Sequence, residues 1–127
     1  MSDRRPTKIL ILDDSLICRG VLKAVLETQG YEVVALETAV ELAAVLDRER
    51  PDIALVDVFM AGLRGDQLVA NAAGKQRHDC PVVLFSDRAE TELAKLAQAC
   101  GATGYIRKTT DGVILAREIK RIMGERQ

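Results

Sequence analysis

The sequence predicts a doubly wound α/β domain, in which a five-stranded parallel sheet carries five helices on its two faces. Short apolar runs of strand length alternate along the chain with stretches whose apolar residues recur at helical spacing. The 127 residues, 48% of them hydrophobic, are enough for one domain with its own core. We therefore interpret residues 1–127 as a single domain in which residues 1–7 form a short N-terminal arm.

The first half of the chain contains three predicted strands and two predicted helices. The strands are the apolar runs 8–12, 31–35 and 53–56. Such continuous runs are typical of parallel strands that are covered on both faces. The first helix opens around Ser15 and stops at Gly30, whereas the second is predicted to be capped by Thr38 and to end before Pro51.

The second half of the chain continues the alternation. The remaining strands are predicted at 82–85 and 103–107. The remaining helices are predicted at 67–73, at 90–100 and in a C-terminal segment capped by Thr110 or Asp111. This order predicts right-handed crossovers between parallel strands, with helices on both faces of the sheet.

Polar residues stand where four of these strands end. Asp13 and Asp14 follow the first strand, Asp57 the third, Ser86 the fourth and Lys108 the fifth. Ligands of doubly wound sheets bind outside the carboxyl ends of the strands. We therefore expect these five side chains to face one crevice.

Three carboxylates in one crevice repel each other, by about 1 kcal/mol for a pair about 4 Å apart in water and by more near a protein surface. A divalent cation would compensate, and Mg²⁺ binds carboxylates together with a phosphate and waters. Lys108 and Ser86 supply the positive charge and the hydroxyl donor that a transferring phosphoryl group needs. One carboxylate then remains as a nucleophile that forms an aspartyl phosphate.

Four segments carry a resemblance to a known family. They are DDSLICRG after the first strand, RPDIALVDVFMAG around the end of the third, VVLFS at the fourth and GATGYIRK at the fifth. With them the chain resembles the receiver domains of bacterial two-component response regulators over almost its whole length, with the chemotaxis response regulator as the nearest shape. The resemblance implies a flavodoxin-like sheet with strand order 2-1-3-4-5.

The resemblance also implies roles for individual residues. Asp57 would be the phosphoacceptor and a metal ligand, Asp14 a direct Mg²⁺ ligand and Asp13 a ligand acting through water, while Phe59 would contribute its backbone carbonyl. Ser86 would be the switch hydroxyl, Lys108 the phosphoryl-binding lysine and Tyr105 the aromatic side chain that turns inward. The protein would catalyse its own phosphorylation and dephosphorylation at Asp57, without conventional turnover.

The resemblance implies partners as well. A sensor histidine kinase or a histidine phosphotransfer protein would supply the phosphoryl group, and a downstream effector protein would bind the altered surface. The net charge of −1 and the 3% aromatic content without tryptophan argue against direct nucleic-acid binding. No apolar run approaches the roughly 20 residues of a membrane span, so we expect a cytoplasmic protein without membrane insertion.

Cysteines and the single histidine suggest no other chemistry. Cys18, Cys80 and Cys100 form no CxxC pair, and an odd number leaves one thiol unpaired in any disulfide scheme. Cys18 and Cys100 fall on predicted apolar helix faces, where a free cysteine acts as a small hydrophobe. His78 has no partner at metal-ligand spacing.

Other readings compete with a phosphorylated switch. A pseudo-receiver would keep the fold as a protein-binding module without regulated phosphorylation. The chain could also be a receiver excised from a larger regulator or hybrid kinase, although its short ends favour a stand-alone protein. A haloacid-dehalogenase-like phosphatase needs a second Asp where Phe59 stands, and a flavodoxin-like carrier needs a phosphate cradle where Asp13 and Asp14 stand.

Three positions depart from the family pattern. Ala61 and Thr109 replace prolines, and Asp87 replaces a small residue after the switch hydroxyl. A cis peptide before a non-proline residue costs about 2.5 to 4 kcal/mol, so we expect the bond between Lys108 and Thr109 to be trans, with Lys108 still reaching Asp57. Asp87 adds a carboxylate to an acidic crevice, where repulsion should slow phosphorylation or shorten the phosphorylated state.

Overall fold

The structure, a computed structural model, describes residues 6–57 and 80–125. The strands it describes are β1 Lys8–Leu12, β2 Glu32–Leu36, β3 Ile53–Asp57, β4 Val82–Ser86 and β5 Gly104–Arg107. The helices it describes are α1 Leu16–Thr28, α2 Leu42–Glu49, α3 Glu90–Cys100 and α4 Gly112–Glu125. All neighbouring strands are parallel in the order β2-β1-β3-β4-β5, which confirms the predicted doubly wound fold. The helix predicted at 67–73 and the carbonyl of Phe59 lie outside the described residues.

Side-chain caps begin two of the helices as predicted. Ser15 Oγ accepts a hydrogen bond from the Cys18 N–H at 3.1 Å and so caps α1. Asp111 Oδ1 accepts from the N–H groups of Val113 and Ile114 at 3.0 and 3.2 Å. Each carboxylate or hydroxyl oxygen satisfies N–H groups that the first helical turn leaves without partners. Of the two predicted caps for α4, the structure therefore selects Asp111.

The predicted cap at Thr38 is wrong. The α2 helix begins only at Leu42, after Glu41, which makes no side-chain capping bond. Thr38 Oγ1 instead accepts a hydrogen bond from the Val40 N–H at 3.3 Å. Such a local bond gives the backbone an alternative to the helix. Val40 consequently lies 89% exposed and does not join the apolar face of the helix.

The hydrophobic core lies on both faces of the sheet. Leu10 and Leu12 of β1 pack on the face that α2 and α3 cover, whereas Ile9 and Ile11 pack on the face of α1 and α4. All four side chains are fully buried, and burial of each such residue contributes about 1.5 to 3 kcal/mol. The α4 residues predicted to face inward, Leu115, Ile119 and Ile122, are buried as well.

The strand register brings the polar strand ends to one edge. Leu12 of β1 lies beside Val56 of β3, so Asp13 and Asp57 follow at the same level. Ser86 ends β4 beside Arg107, the residue before Lys108. The predicted crevice therefore lies at the carboxyl edge of the sheet. In residues 6–57 and 80–125, no helix is long and apolar enough to cross a membrane.

Candidate functional site

Three carboxylates converge at the carboxyl edge of the sheet. Asp13 follows β1 and is fully buried, Asp57 ends β3 and is 8% exposed, and Asp14 is exposed. One oxygen of each carboxylate lies within 4.8 Å of the others. The structure therefore brings together the three acids that are predicted to hold a metal ion.

The carboxylate of Asp13 is hydrogen-bonded at one oxygen only. Oδ1 accepts a hydrogen bond from the Ser15 N–H at 2.9 Å. Oδ2 is buried and lies 2.9 Å from Lys108 Nζ, yet it receives no correctly directed hydrogen bond from any described residue. The contact with Lys108 is thus an ion pair, and Oδ2 keeps the capacity to accept a further ligand. A hard cation such as Mg²⁺ fits this set of oxygens.

Lys108 bridges two of the acids. Its Nζ lies 3.2 Å from Asp57 Oδ2 as well as 2.9 Å from Asp13 Oδ2. The Lys108 N–H donates to the Ser86 carbonyl at 2.8 Å, which fixes the start of the side chain at the strand end. Burial opposes the ammonium form, but the two carboxylates outweigh burial and raise the pKa of Lys108. Lys108 is therefore fully charged at neutral pH.

The peptide bond between Lys108 and Thr109 is trans, as expected, since the described residues contain no cis peptide. Thr109 Oγ1 accepts a hydrogen bond from the Asp111 N–H at 3.0 Å. The loop without proline therefore leads directly into the Asp111 cap of α4. The lysine still reaches Asp57, because its flexible stem carries the charge beyond the backbone.

Cys18 lies next to the carboxylate of Asp13. Burial and the neighbouring Asp13 carboxylate raise the pKa of the Cys18 thiol to about 11. Burial disfavours the charged form of Asp13, but contacts with Cys18, the Ser15 N–H and Lys108 outweigh it and lower the pKa of Asp13. The thiol is therefore neutral at pH 7, in keeping with its predicted role as a small hydrophobe packed against the α1 side of the core.

Ser86 and Tyr105 lie in different environments. Ser86 is 2% exposed, and its Oγ accepts a hydrogen bond from the Arg88 N–H at 3.1 Å. The Tyr105 hydroxyl donates to Glu90 Oε2 at 3.1 Å, at the start of α3, where both groups are exposed. This bond to the carboxylate raises the pKa of Tyr105. The phenol is thus held outward in this structure.

Two cavities flank Lys108 and Thr109. One, of about 620 Å³, lies between Glu90 and Arg121 and includes Tyr105. The other, of about 570 Å³, is lined by Cys18 and by apolar residues of α1. Both cavities therefore adjoin Lys108, the lysine that pairs with Asp57.

Two residues outside the predicted set, Arg19 and Glu90, also contact the site. Arg19 Nη1 donates to the Asp13 carbonyl at 2.9 Å, and Glu90 holds the Tyr105 hydroxyl. A signal existed for Arg19, because a cation near a helix N-terminus is unfavourable with respect to the helix dipole and therefore suggests a specific acceptor. No comparable signal in the sequence distinguishes Glu90 from Glu92, the other exposed acid of α3.

Comparisons with known proteins identify the family to which this chain is similar. A family model described as the response regulator receiver domain matches residues 9–120. The chain is similar to protein PilH of Pseudomonas aeruginosa, with 28% identity over 117 residues that cover 91% of this chain and 97% of PilH. The chemotaxis protein CheY4 of Vibrio cholerae superposes with a TM-score of 0.83 at 25% identity, covering 92% of this chain and 98% of that one.

Longer proteins are similar as well. The transcriptional regulatory protein CseB of Streptomyces coelicolor is 30% identical over 117 residues, which cover 92% of this chain and 49% of CseB. The chain thus spans about half the length of this curated relative.

Proposed function

Because the chain belongs to the response regulator receiver domain family, we propose that it is a phosphorylation-dependent switch that accepts a phosphoryl group on Asp57 with the help of Mg²⁺. One observation carries the proposal. Lys108 Nζ lies 3.2 Å from Asp57 Oδ2, within a cluster whose three carboxylates approach to within 4.8 Å. A carboxylate, an ammonium group and several hard oxygen atoms therefore meet at one edge of the sheet, which supports the proposal.

The proposed reaction forms a bond between an Asp57 carboxylate oxygen and phosphorus while the bond from phosphorus to the donor breaks. The leaving group is the imidazole nitrogen of a phosphohistidine or, for a small donor, the carboxylate of acetyl phosphate. Lys108 would neutralise a phosphoryl oxygen, and Ser86 would donate its hydroxyl hydrogen bond to another. Mg²⁺, when bound, would offset further negative charge on the phosphoryl group.

The metal would be held by this chain's own oxygens. Asp13, Asp14 and Asp57 supply carboxylates, and the family resemblance adds the carbonyl of Phe59. Water would complete the coordination, since Mg²⁺ commonly retains several waters. The partners that we propose are a sensor histidine kinase or histidine phosphotransfer protein as donor and a protein effector as receiver of the signal.

The proposal is tested by incubating the protein with acetyl phosphate or phosphoramidate, with Mg²⁺ or with a chelator, and measuring intact mass. A phosphoryl adduct that requires Mg²⁺ and is removed by hydroxylamine is expected, because acyl phosphates react with that nucleophile. Absence of an adduct with every donor, together with no measurable Mg²⁺ affinity, would favour the pseudo-receiver.

Phosphorylation is expected to move Tyr105 through Ser86. The phosphoryl group would attract the Ser86 hydroxyl, and this movement would free space for the Tyr105 ring to leave Glu90. Allosteric coupling of this kind is typically about 5- to 150-fold in an equilibrium constant. With fluorotyrosine in a Tyr31→Phe background, the Tyr105 resonance should shift on phosphorylation in the parent protein and not in Ser86→Ala.

Glu90→Ala provides the complementary variant. Removing the acceptor of the Tyr105 hydroxyl should shift the fluorine resonance towards its phosphorylated position before any phosphoryl group is added. Chemical shift changes confined to residues around Asp57 after phosphorylation would contradict the coupling to Tyr105.

Asp87→Ala is expected to raise the phosphorylated fraction at steady state. Asp87 is exposed beside Ser86, and the Arg88 guanidinium is engaged with Glu92 at 3.2 Å. A solvent-screened charge contributes about 0.2 to 1 kcal/mol, so the ratio of phosphorylated to unphosphorylated protein should rise by less than about tenfold. Quantitative mass spectrometry under constant acetyl phosphate measures it, and an unchanged or lower fraction would refute the repulsion.

A further inference from the structure

We propose that Arg19 is a positioning residue that fixes the Asp13 carboxylate for the metal, an inference that rests on the proposed function. Arg19 lies in α1, and its guanidinium reaches back to donate to the Asp13 carbonyl at 2.9 Å. The residue makes this contact although a positive charge near a helix N-terminus is unfavourable. The hydrogen bond to the Asp13 carbonyl, directly after β1, explains why an arginine stands at this position.

The Asp13 residue is held at three points. Its N–H donates to the Leu36 carbonyl at 3.1 Å, its carbonyl accepts from Arg19, and its Oδ1 accepts from the Ser15 N–H at 2.9 Å. The contacts come from the end of β2, from α1 and from the cap of α1. Rotation of the backbone at Asp13 would therefore break the hydrogen bond of its N–H or the hydrogen bond of its carbonyl.

This fixation leaves one oxygen for a ligand. Asp13 Oδ2 is buried and receives no directed hydrogen bond from the described residues, although Lys108 is its ion-pair partner. Its direction relative to Asp14 and Asp57 depends on the backbone that Arg19 anchors. Mutation of a residue that orients a metal ligand by hydrogen bonding, without binding the metal itself, commonly changes metal affinity by about 10- to 100-fold.

If Arg19 fixes the position of the Asp13 carboxylate, its loss should change the selectivity of the site between Mg²⁺ and Ca²⁺. Mg²⁺ demands near-octahedral geometry, whereas Ca²⁺ accepts variable and longer coordination. Loosening Asp13 should therefore weaken Mg²⁺ binding more than Ca²⁺ binding. A purely electrostatic contribution of Arg19 would instead change the affinities of both ions in the same direction and by a similar factor.

Arg19→Met and Arg19→Lys form the test, with Lys23→Met as the matched control. Lys23 lies one turn further along α1 in an exposed ion pair with Glu27 at 3.1 Å, so its loss removes one charge from the same helix without touching Asp13. Calorimetric titration of the unphosphorylated chain with Mg²⁺ and with Ca²⁺ gives the two affinities, and thermal unfolding without metal reports the stability of each variant.

Arg19→Met should weaken Mg²⁺ binding by about tenfold or more and should reduce the ratio of Mg²⁺ to Ca²⁺ affinity. Arg19→Lys should recover part of the Mg²⁺ affinity and part of the ratio. Lys23→Met should leave the ratio unchanged. An unchanged ratio in a folded Arg19→Met protein would overturn the proposal. Hydrogen exchange at the Ser15 N–H in metal-free protein is an independent readout, since only the Arg19 variants should lose protection. If the parent protein binds neither ion, the metal site of the proposed function fails, and unchanged Ser15 exchange would then overturn the positioning role too.

Discussion

Asp57→Asn should abolish incorporation of a phosphoryl group from acetyl phosphate. The amide oxygen of asparagine lacks the charge that makes the carboxylate a nucleophile, whereas its size and shape are nearly those of aspartate. Asp57 is 8% exposed at the end of β3, so a substitution of equal size preserves the packing around it. Lys108 keeps its second partner, Asp13, at 2.9 Å. Loss of the adduct would therefore show that the Asp57 carboxylate is the nucleophile, because the variant protein remains folded.

The matched control is Asp87→Asn, which neutralises an exposed carboxylate near the same edge of the sheet. Intact mass after incubation with acetyl phosphate and Mg²⁺ should show the adduct in this variant and in the parent protein. Circular dichroism verifies that both variants fold. An adduct on Asp57→Asn at the parent rate would mean that another group, with Asp13 and Asp14 as the nearest carboxylates, is the acceptor.

The central part of the fold follows from patterns that the sequence displays locally. Apolar residues form continuous runs within β1, β3 and β4 because helices cover both faces of these strands, and every residue of β3 and β4 is buried. A strand of this kind ends where its first polar residues reach solvent or a ligand. The sequence alone therefore predicts that Asp13, Asp57 and Lys108 lie at one edge of the sheet.

Contacts that join distant parts of the chain were not predictable in this way. The bond from Tyr105 to Glu90 depends on the side-chain direction of an edge strand and on where α3 begins. The late start of α2 depends on a competition between Thr38 turn bonding and helix formation, in which both outcomes satisfy the same backbone groups. Hydrophobic periodicity determines neither result, because it specifies which face is buried and not how an exposed turn is arranged.

Lys108→Met should slow phosphorylation of Asp57 by about 100- to 1000-fold, the usual effect of removing one donor that stabilises charge in a transition state. Methionine retains the apolar stem beside the Phe85 ring, whose centroid lies 5.9 Å from Nζ, so the variant mainly removes the charge. Lys120→Met, which removes an exposed lysine of α4, is the control and should react at the parent rate. Rate constants come from the time course of intact mass with acetyl phosphate and Mg²⁺.

The same substitution should lower stability in the absence of metal. It leaves the buried carboxylates of Asp13 and Asp57 without the ammonium that lies between them. Breaking a fully buried pair costs about 3 to 5 kcal/mol, and we expect about 1 to 3 kcal/mol here because the Lys108 side chain is 26% exposed. Mg²⁺ should restore part of this loss, since a ligand that binds only the folded state stabilises it. Thermal unfolding with and without Mg²⁺ measures both effects, and a parent-like phosphorylation rate in Lys108→Met would exclude Lys108 from the reaction.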